Sequence, residues 1–153
     1  MSFIIRNFFL SDLDSVLKIE KDSFKNSAFS ELVFIQYYHD GTKKFIISEL
    51  DGEVAGYAIG HVSKELGRIV SIAVQHNQRN KGVGKSLMAY FERKFLSQKV
   101  KRLELEVNIN NNEAVDFYKY LGFSISGLIK RYYEDGSNAY VMSKHLGRTD
   151  KRI

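Results

Sequence analysis

The stretch Leu103-Glu104-Leu105-Glu106-Val107 sets two carboxylates two residues apart. Side chains alternate along an extended chain, so Leu103, Leu105 and Val107 share one face and Glu104 and Glu106 the other. Carboxylates on a covered face are costly unless they have partners or work to do. Twelve residues after Glu106 stands Tyr118, in a helical pattern. A carboxylate that takes a proton and a phenol that gives one could bracket a single reaction centre. The same residues also fit an edge strand with solvated glutamates beside an ordinary core tyrosine. Glu104 competes with Glu106 for the base role because the two share a face. His61 and His76 are proton carriers by type, but by position they read as surface or strand-end residues. The four histidines, His39, His61, His76 and His145, are scattered and there is no cysteine. That leaves no metal-ligand spacing, no thiol nucleophile and no disulfide.

A second chemical signal is Arg79-Asn80-Lys81-Gly82-Val83-Gly84-Lys85, which follows a strand pattern and opens a helical one. Glycines allow a ligand close to the backbone, and a helix start offers unpaired N–H groups and a positive dipole end. Together they suit a pyrophosphate, with charge added by Arg79, Lys81 and Lys85. Gly84-Lys85-Ser86 imitates the end of a Walker loop, but Arg79 stands where its first glycine belongs. Leu87 likewise stands where a dinucleotide fingerprint needs its third glycine.

These residues need elements to hold them. Residues 2–6 read as a short strand, and Ser11-Asp12 as a helix start followed by Leu13, Val16, Leu17 and Ile19. A second helix is expected over 28–39. Residues 44–50 and 53–63 are β-rich and joined by Asp51-Gly52, a tight-turn signal. Residues 68–75 are apolar on both faces, as in an interior strand. A helix over 84–97 with Leu87, Met88, Phe91 and Phe95 inward precedes a strand over 102–108. The next helix, 110–121, is expected to be capped by Asn110 with Glu113 as the capping-box acid, and to stop at Gly122. Strands over 123–130 and 138–146 flank Asp135-Gly136. The order predicts a single-domain mixed α/β sheet, mostly antiparallel, with helices on both faces and one right-handed parallel crossover over 68–108. The expected domain is 1–146, followed by a polar tail, 147–153.

The 153 residues are 44% apolar and 27% charged, which excludes wholesale disorder. The opening lacks the basic-then-apolar layout of a signal peptide, and no apolar run reaches the roughly 18 residues of a membrane span. A cytoplasmic protein without membrane attachment is expected. Net charge is +5, yet residues 79–102 alone carry +7 and leave −2 for the remainder. A basic stretch invites polyphosphate or nucleic acid, or is simply a solvated helix face.

At this point the sequence resembles the GNAT superfamily of N-acetyltransferases. The resemblance rests on Ile72-Ala73-Val74 followed by Arg79-x-x-Gly82-x-Gly84. It continues through Leu105-Glu106-Val107, Asn111, Ala114, Tyr118 and Leu121-Gly122-Phe123. The end, Lys130-Arg131-Tyr132-Tyr133-Glu134-Asp135-Gly136 with Ala139-Tyr140-Val141-Met142, is similar to the N-terminal (Nα) acetyltransferase branch. That branch includes the bacterial ribosomal-protein alanine enzymes and the archaeal N-terminal acetyltransferases. The resemblance covers Ile4 to about Leu146.

It implies acetyl transfer from acetyl-CoA to a protein α-amine, without a metal or a covalent enzyme intermediate. The backbone of Ile72, Ala73 and Val74 would hold the pantetheine arm. Arg79, Asn80, Lys81, Gly82, Val83, Gly84 and Lys85 would hold the pyrophosphate, and Asn111 would contact the cofactor. Glu106 matches the base and Tyr118 the acid that protonates the departing thiolate. Tyr132, Tyr133 and Tyr140 match tyrosines of the peptide entry. Phe29, in Ser27-Ala28-Phe29-Ser30, stands where many relatives carry Pro-Trp-Ser, and Glu31 is the nearest acid. The implied partners are protein or peptide N-termini, on ribosomal proteins or nascent chains. The tail Arg148–Arg152 fits either a solvated end or contact with ribosomal RNA. Three other readings stand beside this one: an acetyltransferase for lysine or small amines, a nucleic-acid-binding module, and a CoA-binding protein without catalysis.

Overall fold

A computed structural model describes residues 3–147. The strands are β1 (Ile4–Asn7), β2 (Lys43–Leu50), β3 (Glu53–Ser63), β4 (Leu66–Val74), β5 (Arg102–Asn108), β6 (Ser124–Ile129) and β7 (Ala139–His145). The helices are α1 (Leu13–Phe24), α2 (Glu31–His39), α3 (Val83–Ser97) and α4 (Asn112–Tyr120). Both the order and the element types are those expected. The strands pair in the order β1-β2-β3-β4-β5-β7-β6, a mixed and mostly antiparallel sheet. The polar tail lies outside the described residues, apart from Gly147. Among the described residues no helix is long and apolar enough to cross a membrane.

The chain divides into two compact units. The first holds the residues up to His61 together with Ile69–Phe91. Asp51 and Gly52 both take left-handed φ, 52° and 81°, the backbone that a tight hairpin between β2 and β3 requires. Val16, Ile19, Phe34, Phe45, Ile47, Tyr57 and Ile59 form a core between α1, α2 and one sheet face. Gly56 faces the other way. A Cβ there would sit 2.9 Å from the Ala73 carbonyl oxygen and 3.1 Å from Val83, so the start of α3 packs on bare backbone.

The entry to α1 is fixed by charge. Arg6 donates to both Asp12 oxygens at 2.8 and 2.9 Å, and the Phe9 N–H donates to Asp12 Oδ2 at 2.8 Å. Burial alone would raise the Asp12 carboxyl. The hydrogen bonds from Arg6 and Phe9 outweigh it and hold the group below the usual carboxylate range. A depressed native pKa means the unfolded chain takes the proton first. The stabilisation is therefore complete above the unfolded value of about 3.9 and disappears as pH falls through the native one. Asp12→Asn is expected to cost about 2 kcal/mol at neutral pH, because it removes the charged pair and leaves Arg6 with Glu49 at 3.6 Å and the Asn7 carbonyl at 3.0 Å. In denaturant titrations down the acid range, the variant's stability should vary less with pH than that of the wild type. Parallel curves would refute the assignment.

The second unit holds Val62–Arg68 and the chain from Glu92 on. Leu66, Gly67 and Arg68 pair in parallel with Arg102, Leu103 and Glu104. On its other side β5 pairs antiparallel with β7 along its whole length. β5 is thus interior, and the edge-strand reading of its glutamates is overturned. The expected cap at Asn110 is also corrected. Asn111 caps α4, its Oδ1 accepting from the Ala114 N–H at 3.1 Å, while the Asn110 N–H turns back to Asn108 Oδ1 at 2.9 Å. The helix ends as expected at Gly122 (φ 98°). The Phe123 N–H reaches the Tyr118 carbonyl and the Gly122 N–H that of Lys119, each at 3.0 Å. With the Phe123 ring 5.9 Å from Tyr118, this is a complete Schellman stop.

Candidate active site

The glycine loop lies in the first unit. Asn80 (φ 62°) and Gly82 (φ 89°) both adopt left-handed backbone. A Cβ on Gly82 would meet only Phe3, at 3.9 Å, so the turn needs its conformation rather than its smallness. The first helical bond of α3 runs from the Ser86 N–H to the Gly82 carbonyl at 3.0 Å. The N–H groups of Val83, Gly84 and Lys85 precede that bond and are left for another acceptor. Lys81 and Lys85 are exposed beside them. This donor set fits a pyrophosphate. Arg79 differs from expectation. Its Nε donates to the Val74 carbonyl and its terminal nitrogen meets Ser23 Oγ, both at 3.2 Å. The guanidinium therefore braces the strand end against α1.

The two-carboxylate strand lies in the second unit. Arg68 on β4 donates to Glu104 Oε1 at 2.6 Å and forms a short ion pair with Glu106 Oε1. Glu104 also binds Arg102 through Oε2 at 2.9 Å. Both Glu104 oxygens are thus committed to cations. Glu106 uses only Oε1, which also accepts from the Tyr132 hydroxyl at 3.4 Å. Its Oε2 makes no hydrogen bond among the described residues. Two carboxylates that alternation could not rank are separated by their partners. Arg68 escaped the sequence reading because its target lies 38 residues away. Its position near the start of a strand carries no local mark of an ion pair.

Tyr118 is buried on α4. Burial, and then the neighbouring Tyr133, push its phenol well above the ordinary value. Among the described residues its hydroxyl makes no hydrogen bond. Tyr133 is pushed up to about 12 by burial, and by Tyr132, Glu106 and Asp135. Its ring lies edge-on to Tyr132 at 5.0 Å. Glu106, Tyr118, Tyr132 and Tyr133 therefore form one electrostatic neighbourhood. Tyr140 lies on β7 opposite Val107 and is half-buried.

Phe29 and Glu31 belong to the first unit. The Phe29 ring packs on Phe34 and Tyr37 at 5.8 and 5.9 Å, and Glu31 opens α2 in solvent. The helix expected from 28 starts at Glu31 because Ser30 caps it, accepting from the Val33 N–H at 3.4 Å. Ile72 and Val74 are half-buried and Ala73 is buried. Phe91 and Phe95 are fully buried, so the basic helix presents no row of stacking aromatics. Among the described residues no three metal-ligating side chains cluster.

The sheet order, with a glycine-turned helix start in one unit and a strand carboxylate oriented through one oxygen in the other, fits an acyl-transfer enzyme. Residues 12–123 match the acetyltransferase (GNAT) family, and the chain belongs to it. Among its relatives, an uncharacterized N-acetyltransferase of Methanocaldococcus jannaschii is 34% identical over 142 residues, covering 92% of this chain and 90% of the other. An N-alpha-acetyltransferase of Sulfurisphaera tokodaii is 31% identical over 155 residues, covering 93% and 92%. The crystal structure of Ard1 from Thermoplasma volcanium superposes with a TM-score of 0.89 at 30% identity, covering 97% and 100%.

Proposed function

We propose that this acetyltransferase moves the acetyl group of acetyl-CoA onto the N-terminal α-amine of proteins or peptides, with Glu106 as base and Tyr118 as acid. Residues 79–85 take the pyrophosphate through backbone N–H groups, and the backbone at 72–74 takes the pantetheine arm. Asn111, whose Oδ1 is engaged as a cap, keeps its amide nitrogen for the cofactor. Tyr132, Tyr133 and Tyr140 line the acceptor entry, with Phe29 and Glu31 as further acceptor contacts. A cytoplasmic setting, with ribosomal or nascent chains as acceptors, belongs to the same reading. The observation that carries it is Glu106: a partly buried carboxylate, oriented through one oxygen and uncommitted at the other.

The chemistry follows from proton affinity. An α-ammonium loses its proton near pKa 7.7–8.0, so about one amine in ten is neutral near pH 7. A lysine, near 10.4, would demand about 4–5 kcal/mol for the same step. A carboxylate acting directly or through water suffices for the first and is poorly matched to the second. The neutral nitrogen attacks the thioester carbonyl and forms the N–C bond. The C–S bond then breaks, sulfur takes the Tyr118 proton, and the proton shed by nitrogen restores the phenol. A backbone N–H near Val74 meets the oxyanion.

The test is CoA release with peptides whose free N-termini begin Ser, Ala, Met-Leu or Met-Glu, beside N-blocked peptides carrying one lysine. Mass spectrometry places the acetyl group. Acetyl on free N-termini alone is the expected result. Modified lysines in the blocked peptides would transfer the assignment to the side-chain amine.

A further inference from the structure

One carboxylate is used by neither the glycine loop nor the Glu106 cluster. Glu20, on α1, is only 2% exposed. Its Oε2 accepts from the Phe29 backbone N–H at 2.8 Å, and its Oε1 accepts from the Tyr57 hydroxyl in a short hydrogen bond. That hydroxyl lies 3.0 Å from Ser71 Oγ. Burial raises the Glu20 pKa against these hydrogen bonds, so the fold keeps an acid where an apolar side chain would be easier to accommodate.

What the carboxylate holds is a piece of irregular backbone. Residues 28–30 lie between a 3-10 turn, Lys25–Ser27, and the start of α2. Lys25 enters that turn in left-handed conformation, φ 51°. The Phe29 N–H is outside any helix and, among the described residues, finds its acceptor in Glu20. The ring of Phe29 packs on Phe34, which in turn packs edge-on to Tyr57 at 5.6 Å. Backbone and ring are thus tied to the same group of side chains. Immediately downstream, Glu31 and Leu32 stand in solvent, and Leu32 is 62% exposed although apolar.

We infer that Glu20 is a positioning residue for the acceptor: by holding the Phe29 N–H it fixes residues 28–32 and so sets the KM for the amine substrate without touching the reacting atoms. This rests on the reading of Phe29 and Glu31 as acceptor contacts. A charge-assisted hydrogen bond to backbone is strong enough to decide a loop conformation, and misplacement of a binding segment weakens the acceptor complex.

The experiment combines steady-state kinetics with amide hydrogen exchange on the full chain. Glu20→Ala should speed exchange at the Phe29 amide and raise the acceptor KM, each about tenfold, in line with losing a hydrogen bond to a charged group. The kcat and the KM for acetyl-CoA should stay within about twofold. Glu20→Gln keeps an acceptor oxygen without the charge, so the rise should shrink to about threefold. If the alanine variant does not fold, the glutamine variant carries the test. A lowered melting temperature with unchanged acceptor KM and unchanged Phe29 exchange would leave Glu20 as a stability residue and overturn the inference. A fall in kcat at constant KM would overturn it too, by placing Glu20 in the chemical steps. Should the wild type acetylate only lysine peptides, the Nα reading fails, and the same KM comparison with a lysine peptide still decides the role of Glu20.

Discussion

Glu106→Gln is expected to lower kcat by about 10²–10⁴-fold, the span that a positioned general base contributes, while acetyl-CoA binds as before. The substitution is nearly isosteric, and its amide oxygen can still accept from Arg68 and Tyr132, which meet the carboxylate through one oxygen. What is lost is the second, uncommitted oxygen as a proton acceptor. The pairing of β5 with β7 does not involve the side chain, so the fold should persist. Glu104→Gln makes the contrast. Both of its oxygens are occupied by arginines, so its effect should be structural and its kcat should remain within about tenfold of wild type. Rapid quench of a single turnover separates chemistry from product release. A Glu106→Gln enzyme turning over at the wild-type rate would remove the base assignment. A larger loss for Glu104→Gln would transfer the role to Glu104.

Tyr118→Phe has a distinctive expected signature, because catalysis should fall while stability holds. The ring packs against Phe117 and Phe123 at 5.5 and 5.9 Å, and phenylalanine keeps both contacts. The hydroxyl makes no hydrogen bond among the described residues, so its removal should leave stability about equal. Burial keeps the phenol protonated through the working pH range. That suits a group that must hold its proton until a thiolate leaves. A fall in kcat of about 10²-fold or more is expected, together with an unchanged melting temperature. Unaltered kcat would remove Tyr118 from the chemistry. Reduced stability would show that the hydroxyl has a structural partner.

Much of this molecule is legible along the chain because many of its determinants are local. Asp51-Gly52 makes a hairpin, and Gly122 stops α4 with a hydrophobic clasp between Tyr118 and Phe123, through contacts within a few residues. The glycine loop before α3 is equally local, since left-handed φ at Gly82 and the orphan N–H groups of a helix start need no distant partner. Where local signals are near-degenerate, the pattern along the chain does not choose between them. Asn110 and Asn111 are chemically identical caps one residue apart. The choice of Asn111 follows from a turn in which Asn108 claims the Asn110 N–H.

Local pattern along the chain suffices for the elements, their faces and the residue types available to chemistry. Alternation placed Glu104 and Glu106 on one face of β5, and helical spacing placed Tyr118 on the buried side of α4. Which of the two carboxylates keeps an oxygen without a hydrogen bond is a matter of long-range pairing. That choice depends on Arg68, brought alongside β5 by a parallel pairing whose intervening chain includes all of α3. Likewise Glu20 reads locally as one more acid on an amphipathic helix. Its Oε1 is covered by Tyr57, which β3 delivers from 37 residues away, while its Oε2 holds the Phe29 N–H nine residues along the chain. Periodicity is a property of neighbouring residues and survives in one dimension. The partner that neutralises, orients or buries a charge is chosen by chain closure over long loops, and no spacing along the chain encodes it.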